Sequence, residues 1–503
     1  MSAGAEVARL KGWPLLLAAM SLSLANFVVV LDITIANVSV PHIAGSLAVS
    51  PSQGTWAITS YSVAEAICVP LSGWLAARFG AVRVFLAAIT GFAVFSLLCG
   101  LSRSLEALIV FRIFQGLSGG PIMPMSQTLM TRIFPPEKVG MALGLWSMTV
   151  VVAPILGPIF GGTISDDWSW HWIFFINLPV VAFCLVFALR YLLRFETPMV
   201  KRPIDFIGLL LLVIWVSALQ IVLDEGRNAD WFASSFICTL AVIAVIGFAA
   251  FLIWELTEAN PVVDLSVFRQ RGYSAAVAAQ AIAYAGFFSA IVVIPLFLQT
   301  NLGYTATYAG YATAFVGVLA VIMSPVAAGL MARIDVRKLI TFGVVWLGLI
   351  SLLRTGWVTQ MDFFTISLPQ FLQGLGMPFF FIGTTSLALG SVRPDQTASA
   401  AGLQNFMRTL AGAFATSLAT TMWEREAKMA HADLAGLVHP LPQSAGFTPD
   451  QARLILERIV QTESVTLATN TIFWGCTALF AVAAMLVWLA PRPLAKVDLG
   501  AAH

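Results

Sequence analysis

Charged residues make up only 10% of this 503-residue sequence, hydrophobic ones 59%, and the mean hydropathy is +0.88. A water-soluble domain cannot hide that much apolar side chain, whereas a bilayer accepts it as solvent. The net charge of +2 offers no basic face for nucleic acid. Cysteine is equally sparse. Cys68, Cys99, Cys184, Cys238 and Cys476 stand singly in apolar runs, with no CxxC pair and no metal-ligand spacing, and read as small hydrophobes. No GxxxxGK(S/T) phosphate loop is present, which excludes ATP hydrolysis by this chain. GxSxG, HExxH and any cluster of the five histidines are missing too, so neither an enzyme nor a metal centre is expected.

What the sequence has is apolar runs near the ~20 residues that a membrane helix needs. Fourteen are found, near 14–37, 54–77, 81–101, 105–131, 140–163, 173–193, 205–223, 233–254, 274–299, 305–332, 339–358, 363–390, 398–422 and 465–490. The expected class is therefore an all-α membrane protein. A six-helix bundle is expected over 1–195, two additional spans over 196–260, and a second six-helix bundle over 261–503. The long runs starting at Leu105, Tyr304 and Phe363 have room for a kink but not for a second span. The first run carries Asp32 and is too long for a cleavable signal peptide; it reads as an anchor.

Lysine and arginine set the orientation. With the N-terminus inside, the inner segments hold Arg9, Lys11, Arg78, Arg83, Arg132, Lys138, Arg269, Arg271, Arg333, Arg337, Lys338 and Arg393, among others. Short outer loops hold only Arg103, Arg227 and, near a span end, Arg354, so both termini are expected in the cytoplasm. One outer loop, about 424–463, is long and exempt from the charge rule. Within it Thr448-Pro449-Asp450-Gln451 forms a capping box, and Leu454, Ile455, Ile459 and Val460 give the following helix one apolar face. Two readings stand: a lid lying on the bundle, or a docking surface for a partner.

An internal repeat is visible. Gly73 to Arg83 after the second run matches Gly329 to Lys338 after the tenth, and Arg112-x-x-Gln115-Gly116 matches Gln370-x-x-Gln373-Gly374. Two repeated halves place a substrate site at their interface, near the midplane. Ionisable groups deep in a span are costly and are functional candidates by default. Asp32, Glu65, Arg112 and Arg408 qualify. Asp32 and Arg112 fall at the same depth, ~8–10 Å below the outer surface at 1.5 Å per residue. They read either as a proton-coupling pair or as a static bridge. Glu65 reads as a proton carrier, a binder of cationic substrate, or a hydrogen-bonding group between helices. Gln115 and Asn405 are candidates for substrate contact with Arg408, which either takes an anionic group or braces its half. Ala401, Asn405 and Gly412 fall on the same helix face as Arg408 and look inward-facing. Pro154, Gly157, Pro158, Gly161 and Gly162 mark span five as a hinge or a close seam. Trp168, Trp170 and Trp172 fit an interfacial belt, and most other aromatics are expected at lipid or interfaces.

These motifs together resemble the major facilitator superfamily, and within it the fourteen-span drug/proton antiporters of the EmrB type. Gly73, Arg78, Gly80 and Arg83 stand as in the superfamily's inner-loop signature; Ala77 occupies the place of its usual aspartate. Leu31-Asp32-x-Thr34-Ile35-x-Asn37, Gly157-Pro158-x-x-Gly161-Gly162, Trp172 to Asn177 and Arg408 to Gly412 extend the match along nearly the whole chain. The resemblance implies the major facilitator fold and efflux of hydrophobic or amphiphilic drugs by alternating access. It implies proton motive force in place of a cofactor, and residence in a bacterial inner membrane. It also implies a periplasmic membrane-fusion adaptor and a TolC-type outer-membrane channel as partners. A dedicated exporter of one metabolite, fatty acid or lipid-like molecule, and a non-transporting membrane receptor, remain as alternatives.

Overall fold

In hydrocarbon every backbone N–H and C=O has to be paired inside the chain, and helices do this locally. The computed structural model describes residues 10–135, 138–200, 203–331, 333–437 and 448–491, and these are almost wholly helical. The first block holds α1 (Trp13–Ser46), the single turn α2 (Pro51–Gly54), α3 (Trp56–Phe79), α4 (Ala81–Gly100), α5 (Leu105–Gly119), α6 (Ile122–Ile133), α7 (Val139–Asp167), α8 (Trp172–Phe175) and α9 (Asn177–Tyr191). Then come α10 (Phe206–Glu225) and α11 (Ser235–Thr257), which pack on each other. The last block holds α12 (Arg271–Thr300), α13 (Ala306–Met331), α14 (Val336–Arg354), α15 (Phe363–Gly390), α16 (Thr397–Leu437) and α17 (Pro449–Val487).

With α5–α6 and α8–α9 each counted as one interrupted rod, each of the fourteen apolar runs falls on its own rod. Among the described residues ten helices are long and apolar enough to cross a membrane, or eleven with the pair Met141–Pro154 and Ile159–Asp167, bent by 46°. Rods α3, α5–α6 and α16 fall short because they carry Glu65, Arg112 and Gln115, and Asn405 and Arg408, all buried inside the bundle. The kink anticipated after Leu105 lies between α5 and α6, at Gly120-Pro121; α13 and α15 run on unbroken past Pro325, Pro369 and Pro378.

The sequence repeat has a physical counterpart. A Cβ on Gly116 of α5 would fall 2.4 Å from the Tyr61 carbonyl oxygen of α3, and one on Gly374 of α15 would fall 2.3 Å from the Val316 carbonyl oxygen of α13. In both blocks the fourth rod thus lies backbone-to-backbone on the second. Gly73 is pressed on the Ser399 side chain of α16, joining the two blocks, whereas its repeat partner Gly329 has nothing within 4 Å. Gly116→Ala and Gly374→Ala should each cost about 2 kcal/mol through overpacking, because carbonyls cannot give way as side-chain tips do. Gly329→Ala should change stability by less than about 0.5 kcal/mol. Thermal unfolding of the three variants in one detergent checks the contrast; equal losses would refute the shared seam.

The segment 424–463 differs from expectation. It is not a loop with a separate helix lying on the bundle: α16 continues to Leu437, and α17 starts at Pro449 and runs unbroken into the last span. The capping box is present, with Thr448 accepting from the Gln451 N–H at 3.3 Å and Gln451 accepting from the Thr448 N–H at 3.0 Å. His431 on α16 meets Glu457 on α17 at 3.0 Å, so the two extensions pair side by side as a stalk. The stretch between them, 438–447, and both chain termini lie outside the described residues.

Candidate functional site

Asp32 on α1 is 2% exposed, and Arg112 on α5 is fully enclosed. Arg112 Nη1 lies 2.5 Å from Asp32 Oδ2, so the equal depth read from the sequence is a direct ion pair. Burying such a pair is costly unless its other lone pairs and protons are satisfied. Gln115 Nε2 and Asn177 Nδ2 donate to Asp32 Oδ1 at 3.1 and 2.8 Å. Arg112 also donates to the Ala57 carbonyl at 3.0 Å and to Gln115 Oε1 at 2.9 Å. Its Nη2 has no hydrogen-bond partner among the described residues, and the guanidinium sits 4.1 Å from the centre of the Tyr61 ring. Gln115, expected at substrate, is buried inside this network and bridges acid to base. Asn177 and Ser96, which accepts from Asn177 Nδ2 at 3.0 Å, were missed by the sequence reading of the site. A lone amide in the apolar run after Trp172 was the available signal.

Glu65 on α3 is 5% exposed and makes no hydrogen bond or ion pair with any described residue. The Arg408 guanidinium is the charge that acts on it most strongly, followed by those of Arg112 and Asp32. Arg408 on α16 reaches into the first block: Nη2 lies 2.9 Å from Met123 Sδ on α6, and the guanidinium sits 5.6 Å from Trp146 on α7 and 5.7 Å from Tyr284 on α12. Asn405, one turn earlier, donates to Gln127 Oε1 on α6 at 2.7 Å, so it ties the blocks together. The stripe Ala401, Asn405, Arg408 is buried, and Gly412 lies against Tyr284 and Phe288. Around Arg408 the aromatics depart from expectation. Tyr284, Phe287 and Phe381 are buried and packed on one another rather than facing lipid. Trp168 and Trp172 are exposed as a belt requires, but Trp170 is buried against Phe174.

The glycine and proline motif of α7 forms a seam. A Cβ on Gly157 would meet Thr34 Oγ1 at 2.2 Å, and one on Gly161 the Ile35 carbonyl at 3.0 Å, which sets α7 directly on the stretch of α1 beside Asp32. Pro154 and Gly162 lie on the same rod, with Gly162 within 3.9 Å of Thr307 on α13; the side chain of Pro158 is outside the described residues. At the inner-loop signature, Gly80 has φ +90°, and a Cβ there would strike the Glu196 carboxylate. Glu196 accepts from the N–H groups of Val82 at 2.9 Å and Arg83 at 3.1 Å, and its carboxylate lies 4.0 Å from Arg83 Nε. The carboxylate missing at Ala77 is thus supplied from the end of the sixth rod, as a cap on α4. Arg78 lies beside the rings of Trp74 and Phe79. In the second block Asp335 caps α14 through the Arg337 N–H at 3.0 Å. The Arg337 side chain, donating to Asp335 at 2.9 Å, holds that carboxyl below the usual carboxylate range.

Two further buried ionisable groups escaped the sequence reading, which put them at span ends: Glu255 and Arg354. Arg354, counted there as an outer-loop charge, is 1% exposed. It donates to Gln370 Oε1 at 2.9 Å and to Gln373, the repeat partners of Arg112 and Gln115, and no described carboxylate pairs with it. A cavity of about 1100 Å³ lies at the end where the inner segments meet; Arg132, Arg269, Arg393, Glu255, Asp264 and Asp395 are on its wall. Among the described residues no three His, Cys, Asp or Glu side chains gather as a metal would need.

Two repeated helical blocks, closed on each other around buried charges, define a multi-pass membrane protein of the secondary-transporter class. The model of the Major Facilitator Superfamily matches residues 22–416, and the chain belongs to that superfamily. It is 44% identical over 495 residues to the multidrug export protein EmrB of Escherichia coli (strain K12), covering 96% of this chain and 97% of that protein. The fatty acid resistance protein FarB of Neisseria gonorrhoeae is 42% identical over 494 residues, again 96% and 97% of the two chains. Among solved structures, the human organic anion transporter MFSD10 (TETRAN) superimposes with a TM-score of 0.57 over 95% of this chain and 100% of that one, at 15% identity. That last likeness is one of fold alone.

Proposed function

We propose that this protein exports hydrophobic or amphiphilic compounds across the bacterial inner membrane by alternating access, driven by protons entering in exchange. The carrying observation is the buried Asp32–Arg112 pair, cross-bonded to Gln115 and Asn177, in a chain 44% identical to a protein named for multidrug export. A proton reaching Asp32 competes with the Arg112 contact, and a rearranged pair shifts α1 against α5; through the Gly157–Thr34 seam it also shifts α1 against α7. Glu65, near Arg408 where the two blocks meet, is the second proton or cation station. The proton motive force takes the place of a cofactor. Both termini lie in the cytoplasm, and the stalk of α16 and α17 stands in the periplasm, where it meets an adaptor that leads to an outer-membrane channel.

A second reading has its own support. Arg408 and Arg354 are buried cations with no hydrogen-bonded carboxylate among the described residues, and the fatty acid resistance protein FarB is 42% identical. On that reading Arg408, beside the Tyr284–Phe381 cluster, takes the head group of an amphiphilic anion such as a fatty acid.

Energised everted vesicles test both. An exported amphiphile should dissipate the pH gradient, and preference for anionic over cationic amphiphiles selects the second reading. A gradient that no compound moves, while purified protein still binds them, would leave a receptor in place of an exporter.

A further inference from the structure

The two central helices meet at the inner end over a pair of carboxyl groups. Asp205, half-buried, caps α10 and accepts from the Gly208 N–H at 2.9 Å and from Trp254 Nε1 of α11 at 3.0 Å. Glu255, one residue after Trp254, is 4% exposed and forms part of the wall of the 1100 Å³ cavity. Its Oε2 accepts from the Val263 N–H at 3.1 Å in the linker before α12, and its Oε1 is buried with no hydrogen-bond partner among the described residues. A Cβ on Gly208 would lie 2.2 Å from Asp205 Oδ2 and 2.6 Å from Glu255 Oε1. The two oxygens therefore flank one point, less than about 5 Å apart, the range in which like charges act on each other. Among the described residues no cation pairs with either carboxyl group. The charged groups acting on Glu255 are Asp205 and Glu258; Arg132, Arg269, Arg393, Asp264 and Asp395 face it only as other parts of the cavity wall.

Two ionised carboxylates in this place would leave an acceptor unsatisfied and a repulsion unanswered; a single proton cures both. Asp205 already receives two donors, whereas Glu255 has the free oxygen. We infer that Glu255 and Asp205 form a proton-binding site on the inner cavity wall, with the proton on Glu255 Oε1 donated to Asp205 Oδ2. The site is separate from Asp32 and Glu65 and does not depend on either carrying protons. It fastens α10, α11 and the linker through Val263, where the wall of the cavity passes into the second block. The shared proton is lost as pH rises, whereupon the repelled Glu255 releases the linker. The inner side of the protein is thereby sensitive to cytoplasmic alkalinity.

Infrared difference spectra of the full chain in detergent, wild type against Glu255→Gln at about pH 7, should show the loss of one protonated carboxyl band. Hydrogen exchange of segment 258–266, corrected for intrinsic rates, should lose protection roughly tenfold between about pH 7 and about pH 9.5 in the wild type. In Glu255→Gln, whose amide still donates to Asp205, protection should hold at both pH values. If that variant does not accumulate, Asp205→Asn serves: its amide donates to Glu255, which ionises, so the band disappears and exchange becomes pH-independent. Loss of an ionised carboxylate band in Glu255→Gln, or survival of the protonated band in Asp205→Asn, overturns the assignment. So does alkaline loosening that persists in either variant.

Discussion

Asp32→Asn should abolish substrate-driven proton movement in vesicles and also lower the melting temperature of the purified protein. Both effects follow from the geometry. The substitution removes the group that would exchange the proton, and it strands the fully buried Arg112 guanidinium with Gln115, the Ala57 carbonyl and the Tyr61 ring. Breaking a buried pair from one side costs about 3–5 kcal/mol, because the remaining charge is uncompensated. The loss of transport by itself therefore cannot separate coupling from folding. Adding Arg112→Gln removes the stranded charge. The double variant should recover most of the lost stability, since neutral groups can replace a buried pair at little cost, yet remain inactive. Asp32→Glu should keep partial transport with a displaced pH profile. If the double variant transports uphill with the parent's pH dependence, Asp32 is a structural partner and Glu65 becomes the leading carrier.

Shortening the stalk has the other large effect, and it falls on cells rather than on vesicles. Because α16 and α17 are continuous helices, 432–456 can be replaced by a short Gly/Ser turn just inside the His431–Glu457 rung without disturbing the bundle below. Leu437, Leu454 and Ile459, exposed on these extensions, are removed or brought to the tip by that change. The shortened protein should retain vesicle transport and lose resistance in whole cells by an order of magnitude or more, which minimum inhibitory concentrations would register. Undiminished resistance, with the protein inserted at the parent's level, would remove the stalk from any role in handing substrate onward.

Much of this was legible in the sequence, for particular reasons. Apolar runs mark rods because a membrane leaves the backbone no alternative to local pairing, and Asp32 and Arg112 fall at one depth because helical rise is fixed. Gly116 and Gly374 were visible as a repeat, and the structure gives the cause in two matching carbonyl contacts. What escaped were partnerships made by distance rather than by order. Gln115 looked like a substrate ligand because nothing along the chain says that its amide turns back to Asp32, 83 residues away. Nothing along the chain marks Glu196, although its carboxylate caps the helix that follows Ala77. Arg354 and Glu255 sit where a span ends, a place in which charge is ordinary, and only the packing reveals that both are buried. The cap at Thr448 and the helix after it were legible, but not that this helix runs unbroken into the last span or that α16 extends to Leu437 to meet it.

The first block balances its deep cation with an acid, while Arg354 in the second is held by two glutamine side chains. An unbalanced positive charge is coupled to voltage. A membrane potential does about 2.3 kcal/mol of work on one charge carried across 100 mV, so a rocking motion that moves Arg354 through a tenth of the field is worth about 0.2 kcal/mol. Under the proposed proton-driven export, inside-negative polarity would draw that block toward the cytoplasm before any proton has moved. The potential would then act on the second block and the pH difference on the first.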